Sequence, residues 1–424
     1  MTMKFSELDL KPEILKALTD MGYQDLTPIQ EKTFSPILNG RDLLARAETG
    51  SGKTAACGIP LVQMIDPSLN AIQVLILVPT RELALQYVEE INNISRLADV
   101  VPFAVFGGFP MEIQKAKLRD RVHILVATPG RLIDFLYHTT SIDLSSVRTL
   151  VLDEADEMLK MGFIEDMDFI MSCLIHKHQT LFFAATMPEE INRLIRAYLK
   201  VPVRVELNKE QVAPQSLVHH FQYTGRRDRL DALIEYLKRE KISQAIIFCN
   251  SRHHGEKLIK ELEGKFESIE YIHGGLEQSR RTSIFERFRR NKITFMVATD
   301  IASRGLDFSH VSHVINYDYP FGQESYTHRT GRTGRMGRAG IAMTFVTDQE
   351  LEGLEFLFKT NLIDPVWHGN IPNLENISKR KGRGSGKYSF KKHAKKAASN
   401  KTPAVQINDF PKRTEWQRQL MKSA

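Results

Sequence analysis

Cysteine is scarce in this sequence. Its three cysteines, Cys57, Cys173 and Cys249, are widely separated among 424 residues, and two of them lie inside apolar runs. Such spacing argues against a disulfide framework and against a zinc site. It is typical of buried, reduced thiols in an intracellular protein.

Long apolar runs are also missing. No run approaches eighteen residues, so no membrane-spanning helix is expected. The first residues, MTMKFSELDLKPE, are charged where a signal peptide would be apolar. We therefore expect a soluble, cytoplasmic protein that binds no membrane, and we expect a monomer.

Acidic residues are absent from the stretch between residues 377 and 408, which holds ten lysines or arginines. Residues 377–424 contain fourteen basic and two acidic residues, a charge of +12, so the rest of the +7 chain carries −5. This low-apolar tail is predicted to be disordered alone and to attract phosphate backbones. A solubilising extension that binds nothing is the alternative.

A second stretch without acids, HRTGRTGRMGR (328–338), contains four arginines. Glycine-arginine tracts are often unfolded RNA-binding tails. Here, however, the apolar runs HVINYDYP and IAMTFVT flank the tract, and runs of this kind form buried strands. The pattern predicts that the arginines lie on a loop or at a helix start inside a folded domain, facing something negative.

Short apolar runs alternate with amphipathic helical stretches such as RLDALIEYLKRE (229–240). This alternation predicts parallel sheets flanked by helices. The predicted strands are VLILV (74–78), ILVA (124–127), TLVL (149–152), TLFF (180–183), AIIF (245–248), FMVA (295–298), HVIN (313–316) and AMTFV (342–346). We expect α/β domains at 1–206 and 217–365, the linker LNKEQVAPQS (207–216) and a tail (366–424). No repeat is visible, so any duplication is one of architecture.

A glycine-rich turn precedes a helical stretch in ARAETGSGKT, which contains Gly50, Gly52, Lys53 and Thr54. Backbone N–H groups at such a helix start bind phosphate, the lysine adds a charge for the β and γ phosphates, and the threonine hydroxyl can hold Mg²⁺. Ala47 replaces the glycine that usually begins this pattern. The motif predicts a nucleotide site.

Carboxylates end the apolar run TLVLDEAD. Asp153 would reach the magnesium ion, and Glu154 would orient or deprotonate the attacking water. An acidic helix cap is the alternative. The phosphate loop upstream favours the nucleotide site, because the two motifs are complementary halves of it.

Seven motifs together resemble the DEAD-box family of ATP-dependent RNA helicases. They are AETGSGKT, PTREL (79–83), GG (107–108), TPGR (128–131), DEAD (153–156), ATDIASRGLD (298–307) and HRTGRTGR (328–335). The resemblance covers residues 5–340 and implies two RecA-like domains that close on ATP, Mg²⁺ and RNA.

The resemblance implies roles around the nucleotide. Gln30 would read adenine, Asp307 would meet the ribose, and Arg332 and Arg335 would act on the γ-phosphate as arginine fingers. Phe5 would pack near the base, although an ordinary core anchor is an equal alternative. The remaining phosphate contacts are Thr49, Gly50, Ser51, Gly52, Lys53 and Thr54.

Two further sets follow from the resemblance. The RNA-binding set is expected to contact phosphates and sugars with weak sequence preference, although a surface ion pair is an alternative for each arginine. It comprises Thr80, Arg81, Gly107, Gly108, Thr128, Pro129, Gly130, Arg131, Arg281, Thr299 and Asp300. The set that couples the domains comprises Asp156, Ala184, Thr186, Arg304, His328 and Arg329.

Ala184 departs from the family pattern, which usually has serine at the start of Ser-Ala-Thr. Its methyl group cannot supply the hydroxyl that links the acidic motif to the other motifs, although Thr186 can keep part of the network. We expect ATP hydrolysis to survive better than strand separation. The leading hypothesis is an RNA-stimulated ATPase that separates short duplexes, in ribonucleoprotein assembly such as ribosome assembly or in RNA decay. An ATP-locked RNA clamp and a DNA helicase are the alternatives.

Overall fold

The β-strands of the described residues form two parallel sheets of seven strands each. The structure is a computed structural model that describes residues 3–47, 51–207, 217–300, 311–334, 339–361 and 363–372. All of these residues belong to one compact unit that extends to Pro372.

The first sheet is built from the first half of the chain. Its strands are β1 (Leu43–Arg46), β2 (Val74–Leu77), β3 (Pro102–Val105), β4 (Ile124–Ala127), β5 (Thr149–Leu152), β6 (Gln179–Ala184) and β7 (Val203–Glu206). Their order across the sheet is β3-β4-β2-β5-β6-β1-β7, and every pair is parallel.

The second sheet repeats this topology. Its strands are β8 (Leu217–Tyr223), β9 (Ala245–Cys249), β10 (Ile269–Ile272), β11 (Phe295–Thr299), β12 (His313–Asn316), β13 (Gly340–Val346) and β14 (Pro365–His368). Their order, β10-β11-β9-β12-β13-β8-β14, equals that of the first sheet when each half is counted from its own first strand. The expected duplication of architecture is confirmed.

Helices connect the parallel strands. Those of the first half are α1 (Pro12–Asp20), α2 (Pro28–Leu38), α3 (Lys53–Met64), α4 (Arg81–Ser95), α5 (Met111–Lys117), α6 (Pro129–His138), α7 (Ala155–Lys160), α8 (Ile164–Cys173) and α9 (Glu189–Tyr198). Those of the second half are α10 (Arg229–Arg239), α11 (Arg252–Leu262), α12 (Gln278–Arg289), α13 (Gln323–Thr330) and α14 (Leu351–Asn361). Among the described residues, no helix is long and apolar enough to cross a membrane.

The central strands are buried along their whole length, as β2, β4, β5 and β12 illustrate. Parallel strands covered by helices on both faces read as continuous apolar runs, which is why the sequence located them. Successive side chains along β9 point to opposite faces of the sheet: Ile246 lies in one hydrophobic cluster and Ile247 in another. Interior strands such as β9 therefore have packed side chains on both faces, and the parallel strands present their carboxyl ends at one edge of each sheet.

Two expectations need correction. Strands do not stop at residue 365, because β14 (Pro365–His368) pairs with β8 and completes the second sheet. The arginine tract was expected on a loop or at a helix start: His328 and Arg329 lie instead in the last turn of α13, whereas Arg332 lies in the turn formed by Gly331–Gly334, as the loop alternative predicted. Cys173 is only partly buried, whereas Cys57 and Cys249 are buried, and all three are free thiols. The predicted linker lies outside the described residues except for Leu207.

Candidate functional site

The predicted phosphate loop leads directly into α3, whose first residue is Lys53. Gly52 immediately before it has a φ of 92°, in the left-handed region. A Cβ atom there would lie 3.0 Å from Thr27 Oγ1 and 3.1 Å from Gln30 Nε2. Both the backbone conformation and the space therefore favour glycine at this position. Ser51 and Thr54 flank it, while Thr49 and Gly50 lie outside the described residues.

Lys53 and Asp153 meet at the carboxyl edge of the first sheet. Asp153 directly follows β5, and both side chains are buried. Lys53 Nζ donates to the carbonyl oxygen of Ala47 at 3.0 Å and lies 3.9 Å from Asp153 Oδ1. The two motifs that the sequence analysis treated as halves of one site are thus brought together.

The carboxylate of Asp153 is held by two further donors. The hydroxyl of Tyr87, on α4, donates to Asp153 Oδ2 at 2.7 Å, and the backbone N–H of Glu154 donates to Oδ1 at 2.8 Å. Burial raises the pKa of Tyr87, and the charge of Asp153 raises it further, so this hydroxyl remains a donor. Sequence reasoning missed Tyr87, because no motif marks a contact between residues 66 positions apart.

Glu154 has a strained backbone. Its φ of 51° and ψ of 45° lie in the left-handed region, which non-glycine residues rarely adopt and which recurs at functional sites. Burial raises the pKa of this carboxyl; the charges of Lys53 and Arg332 oppose that shift, and Asp153 adds to it. A buried carboxylate with a raised pKa is suited to accept a proton from water.

Gln30 lies against the same turn. Its Oε1 accepts from the backbone N–H of Thr27 at 2.8 Å, and its Nε2 donates to the carbonyl oxygen of Gly52 at 3.4 Å. Phe5 is buried and forms edge contacts with Tyr23 and Phe34, at ring-centroid distances of 5.5 and 6.1 Å. Its burial favours the core-anchor interpretation.

Asp156 organises the residues after β6. Its Oδ2 accepts from both the backbone N–H and the hydroxyl of Thr186, each at 2.9 Å, and its Oδ1 accepts from the N–H of Ala185 at 3.4 Å. Ala184 ends β6 and is fully buried. Thr186 thus keeps the link to the acidic motif that Ala184 cannot make.

The arginine tract reaches this acidic motif from the second half of the chain. His328 Nδ1 lies 3.4 Å from Glu157 Oε1, and Glu157 also accepts from Lys160 Nζ at 2.9 Å. Arg332 is buried and donates from Nε to the carbonyl oxygen of His328 at 3.2 Å. Its charge lowers the pKa of Glu154, against the larger effect of burial.

Arg329 points instead into the second half. Its guanidinium binds Asp300 through Nε at 2.5 Å and Nη2 at 2.7 Å, and it lies over the ring of Phe248. Nη2 also donates to Asn250 Oδ1 at 2.7 Å and Nη1 to the Asp318 carbonyl at 2.8 Å. Two residues expected to serve the domain junction and RNA binding, Arg329 and Asp300, are here partners of each other.

Three arginines converge near the start of α4. The charges of Arg281 and Arg131, after burial, lower the pKa of Arg81. Arg81 Nη1, Arg131 Nε and Arg281 Nε are buried without a hydrogen-bond partner among the described residues. Arg281 comes from α12 and lies 3.0 Å from Glu82 Oε1 on α4. Buried N–H groups without acceptors are costly, so this arginine cluster is built for an anion.

Glycines and helix starts surround the arginine cluster. Gly108 has a φ of 68°, and a Cβ atom there would lie 1.8 Å from Arg81 Nη2. Thr80 caps α4 by accepting from the N–H of Leu83 at 3.2 Å. Arg131 Nη1 donates to the Phe109 carbonyl at 2.9 Å, which fixes the loop after Gly107 and Gly108. Thr128, Pro129 and Gly130 start α6, and Thr299 ends β11.

Comparison with known families agrees with this geometry. The DEAD/DEAH box helicase family matches residues 27–194, and the helicase conserved C-terminal domain matches residues 228–337. The chain belongs to the DEAD-box family. The first match covers β1 to β6 with the acidic motif, and the second covers β9 to β12 with the arginine motif.

Bacterial relatives of this DEAD-box protein carry the same family name. The DEAD-box ATP-dependent RNA helicase CshA of Geobacillus kaustophilus is 40% identical over 84% of this chain and 76% of its own length. The ATP-dependent RNA helicase DeaD of Escherichia coli is 41% identical over 89% of this chain, which spans 60% of DeaD.

Solved structures share the fold of this DEAD-box protein. Dbp5 of Saccharomyces cerevisiae bound to RNA and ADP BeF3 is similar with a TM-score of 0.78 and 26% identity, over 89% of this chain and 97% of that one. Mss116p bound to ssRNA and AMP-PNP has a TM-score of 0.78 and 28% identity, over 91% and 83% of the two chains. The RecA-like fold expected from the sequence is confirmed.

The described part of this DEAD-box protein does not include every expected site residue. Arg304 and Asp307 lie in the stretch 301–310, and Arg335 lies in the stretch 335–338, which are both outside it. Their roles remain predictions from the motifs.

Proposed function

We propose that this protein is an ATP-dependent RNA helicase whose ATPase is stimulated by RNA and which separates short duplexes or remodels RNA–protein complexes. The contact between the arginine motif and the acidic motif carries the proposal: His328 Nδ1, from the second half, lies 3.4 Å from Glu157 Oε1 on α7, which begins two residues after Asp153. Such a composite site is complete only when both halves are in place. Hydrolysis would then depend on an RNA that holds the halves together.

At the nucleotide, the chain's own groups have separate roles. Lys53 and the backbone N–H groups at the start of α3 bind the phosphates, and Gln30 reads adenine beside Gly52. Glu154 positions the attacking water and accepts its proton. Arg332, together with Arg335, stabilises charge that develops on the transferred phosphoryl group, an effect of about 10³ to 10⁵ in rate.

The donors near Lys53 fit a magnesium ion. The Asp153 carboxylate and the Thr54 hydroxyl are oxygen donors of the type that Mg²⁺ prefers. Each carboxylate oxygen of Asp153 accepts one hydrogen bond from protein and has a second lone pair. Bound there, the ion would neutralise phosphate charge, while Asp153 and Thr54 would hold it.

The arginine cluster is the proposed RNA site. Phosphate oxygens are the acceptors that Arg81 Nη1 and Arg281 Nε lack among the described residues, and Arg131 Nε has only the carboxylate of Asp134, at 3.5 Å. Guanidiniums that contact phosphates fix the path of a strand without reading its bases, so sequence preference should be weak. Because Arg281 comes from α12 and the other two from the first half, a bound strand would join both halves.

The alternative function is an ATP-locked RNA clamp with weak strand separation. Ala184 is the observation that favours it, because its buried methyl group offers no hydroxyl to the acidic motif. Thr186, with two hydrogen bonds to Asp156, supplies the remaining hydroxyl, and the backbone N–H of Ala185 adds a longer bond at 3.4 Å. Duplex separation measured beside ATP hydrolysis distinguishes the two functions.

ATPase assays with single-stranded RNA, DNA or no nucleic acid test the proposal. We expect RNA to stimulate hydrolysis and DNA to stimulate it far less. Glu154→Gln should abolish hydrolysis and keep ATP binding. Arg131→Gln should raise the RNA concentration for half-maximal stimulation about tenfold or more, as expected for a lost charged hydrogen bond. The exposed Arg193→Gln is the matched control. Equal stimulation by DNA and RNA would refute RNA specificity.

The basic segment 377–424 is proposed to add nonspecific RNA affinity. Its deletion should weaken binding and reduce the dependence of affinity on salt, because fewer counterions are released. An unchanged salt dependence would assign the segment no part in RNA binding.

A further inference from the structure

Tyr87 is a buried side chain beside the acidic motif whose hydroxyl has no place in the function proposed above. It lies in the second turn of α4, a helix whose first residues belong to the arginine cluster. Its side chain is completely buried, and its hydroxyl ends 2.7 Å from Asp153 Oδ2.

The partners of Asp153 are divided between its two oxygens. The backbone N–H of Glu154 and the ammonium of Lys53 lie on the Oδ1 side, whereas Tyr87 binds Oδ2. The hydroxyl of Tyr87, on α4, therefore fixes the rotation of the Asp153 carboxylate about its Cβ–Cγ bond. Hydrogen bonds of this kind orient the carboxylates that serve metal ions and commonly change metal affinity by about 10- to 100-fold.

We propose that Tyr87 is a positioning residue that holds the Asp153 carboxylate in the orientation required by the magnesium–nucleotide complex. The inference rests on the proposed function, because it assumes that Asp153 serves the metal. Tyr87 itself does not touch the nucleotide. Its removal should therefore affect the contribution of Mg²⁺ to nucleotide binding and leave the contribution of the phosphate loop unchanged.

Tyr87→Phe removes only the hydroxyl and keeps the buried ring. Tyr236→Phe is the matched control, since Tyr236 is equally buried and its hydroxyl has no hydrogen-bond partner among the described residues. The fluorescent nucleotide mant-ADP is titrated into full-length wild type and both variants, first with EDTA and then with increasing Mg²⁺. Thermal melts of all three proteins accompany the titrations.

We expect Tyr87→Phe to weaken the apparent affinity for Mg²⁺ about 10-fold or more, with mant-ADP affinity in EDTA within about twofold of wild type. Tyr236→Phe should match wild type in both. The Mg²⁺ concentration for half-maximal ATPase should shift in parallel for Tyr87→Phe, and saturating Mg²⁺ should restore most of kcat.

Two results would overturn the inference. Unchanged Mg²⁺ dependence in Tyr87→Phe would show that the hydroxyl does not position Asp153. An equal loss of mant-ADP affinity in EDTA and in Mg²⁺ would assign Tyr87 a merely structural role. Failure of wild type to bind mant-ADP would instead refute the proposed nucleotide site itself, and with it the premise of the inference.

Discussion

Replacing Arg329 by methionine should destabilise the second sheet and leave the first intact. The guanidinium of Arg329 is 1% exposed and binds both oxygens of Asp300, as well as Asn250 and the backbone of Asp318. Methionine fills similar space but leaves these acceptors without their donor. The substitution thus isolates the electrostatic contribution of one side chain.

The magnitude follows from the burial of the pair. Breaking a buried ion pair by removing one partner costs about 3–5 kcal/mol. Asp300 is 31% exposed, so water can solvate part of its charge, and the lower end, about 3 kcal/mol, is expected. With a urea m-value of about 2 kcal/mol/M for a domain of this size, the unfolding midpoint should fall by about 1.5 M.

Tryptophan fluorescence reports this transition selectively. The chain has two tryptophans, Trp367 and Trp416, and Trp367 lies in β14, where it packs against Phe221 of β8. In a Trp416→Phe background, the signal therefore comes from the second sheet alone.

Urea titrations of that background should be compared with Arg329→Met and with Arg226→Met, which removes an exposed arginine of the same half. If the midpoint of Arg329→Met lies within about 0.3 M of the control, then the ion pair is not a principal source of stability and the reasoning fails.

Three further predictions concern coupling, contact and pH. Ala184→Ser should raise the number of duplexes separated per ATP hydrolysed about 2- to 10-fold, which is the effect expected of one neutral hydrogen bond. The same number in Ala184→Ser and in wild type would contradict this. Arg289 on α12 binds Glu89 on α4 through Nη1 and Nη2, and so joins the two halves. Arg289→Glu or Glu89→Arg should raise the RNA concentration for half-maximal ATPase about 2- to 5-fold. The double exchange, which restores opposite charges, should return it to the wild-type value. Burial lowers the pKa of His219 to about 4. Below about pH 6.5, the unfolded chain therefore binds a proton at this residue that the folded protein does not bind until about pH 4. Stability, followed by Trp367 fluorescence, should therefore fall by about 2 kcal/mol between pH 7 and pH 5 from this residue alone, and His219→Gln should flatten that decline.

The sequence predicted most strands inside the two described sheets, but it missed the interior strands β1 and β8 and the strands at the sides. All eight predicted strands are present, because burial on both faces makes them continuously apolar. The four outermost strands, β3, β7, β10 and β14, were not predicted. In β7 and β14 the apolar signal is weak because part of each strand faces solvent, as the exposed Arg204 and Val366 show.

The candidate site divides in the same way. Gly52, Lys53, Asp153 and Thr186 could be located from short motifs, because loops at strand ends and helix starts have local chemistry. Tyr87 could not, since its contact with Asp153 exists only after two distant elements pack. The same applies to Arg329 and Asp300, whose separate motif roles gave no sign that they bind each other.

The identical strand order also places the helix that follows the first strand of each half next to the end of the fifth strand. Lys53 begins α3 and lies 3.9 Å from Asp153, while Arg229 begins α10 and lies 3.3 Å from Asp318. In the second half, Glu350 also binds this cation. The second copy of the duplicated fold thus neutralises its cation with two carboxylates of its own, whereas the first, among the residues that the structure describes, gives Lys53 a single carboxylate at 3.9 Å, which is why the proposed phosphate site belongs to the first copy.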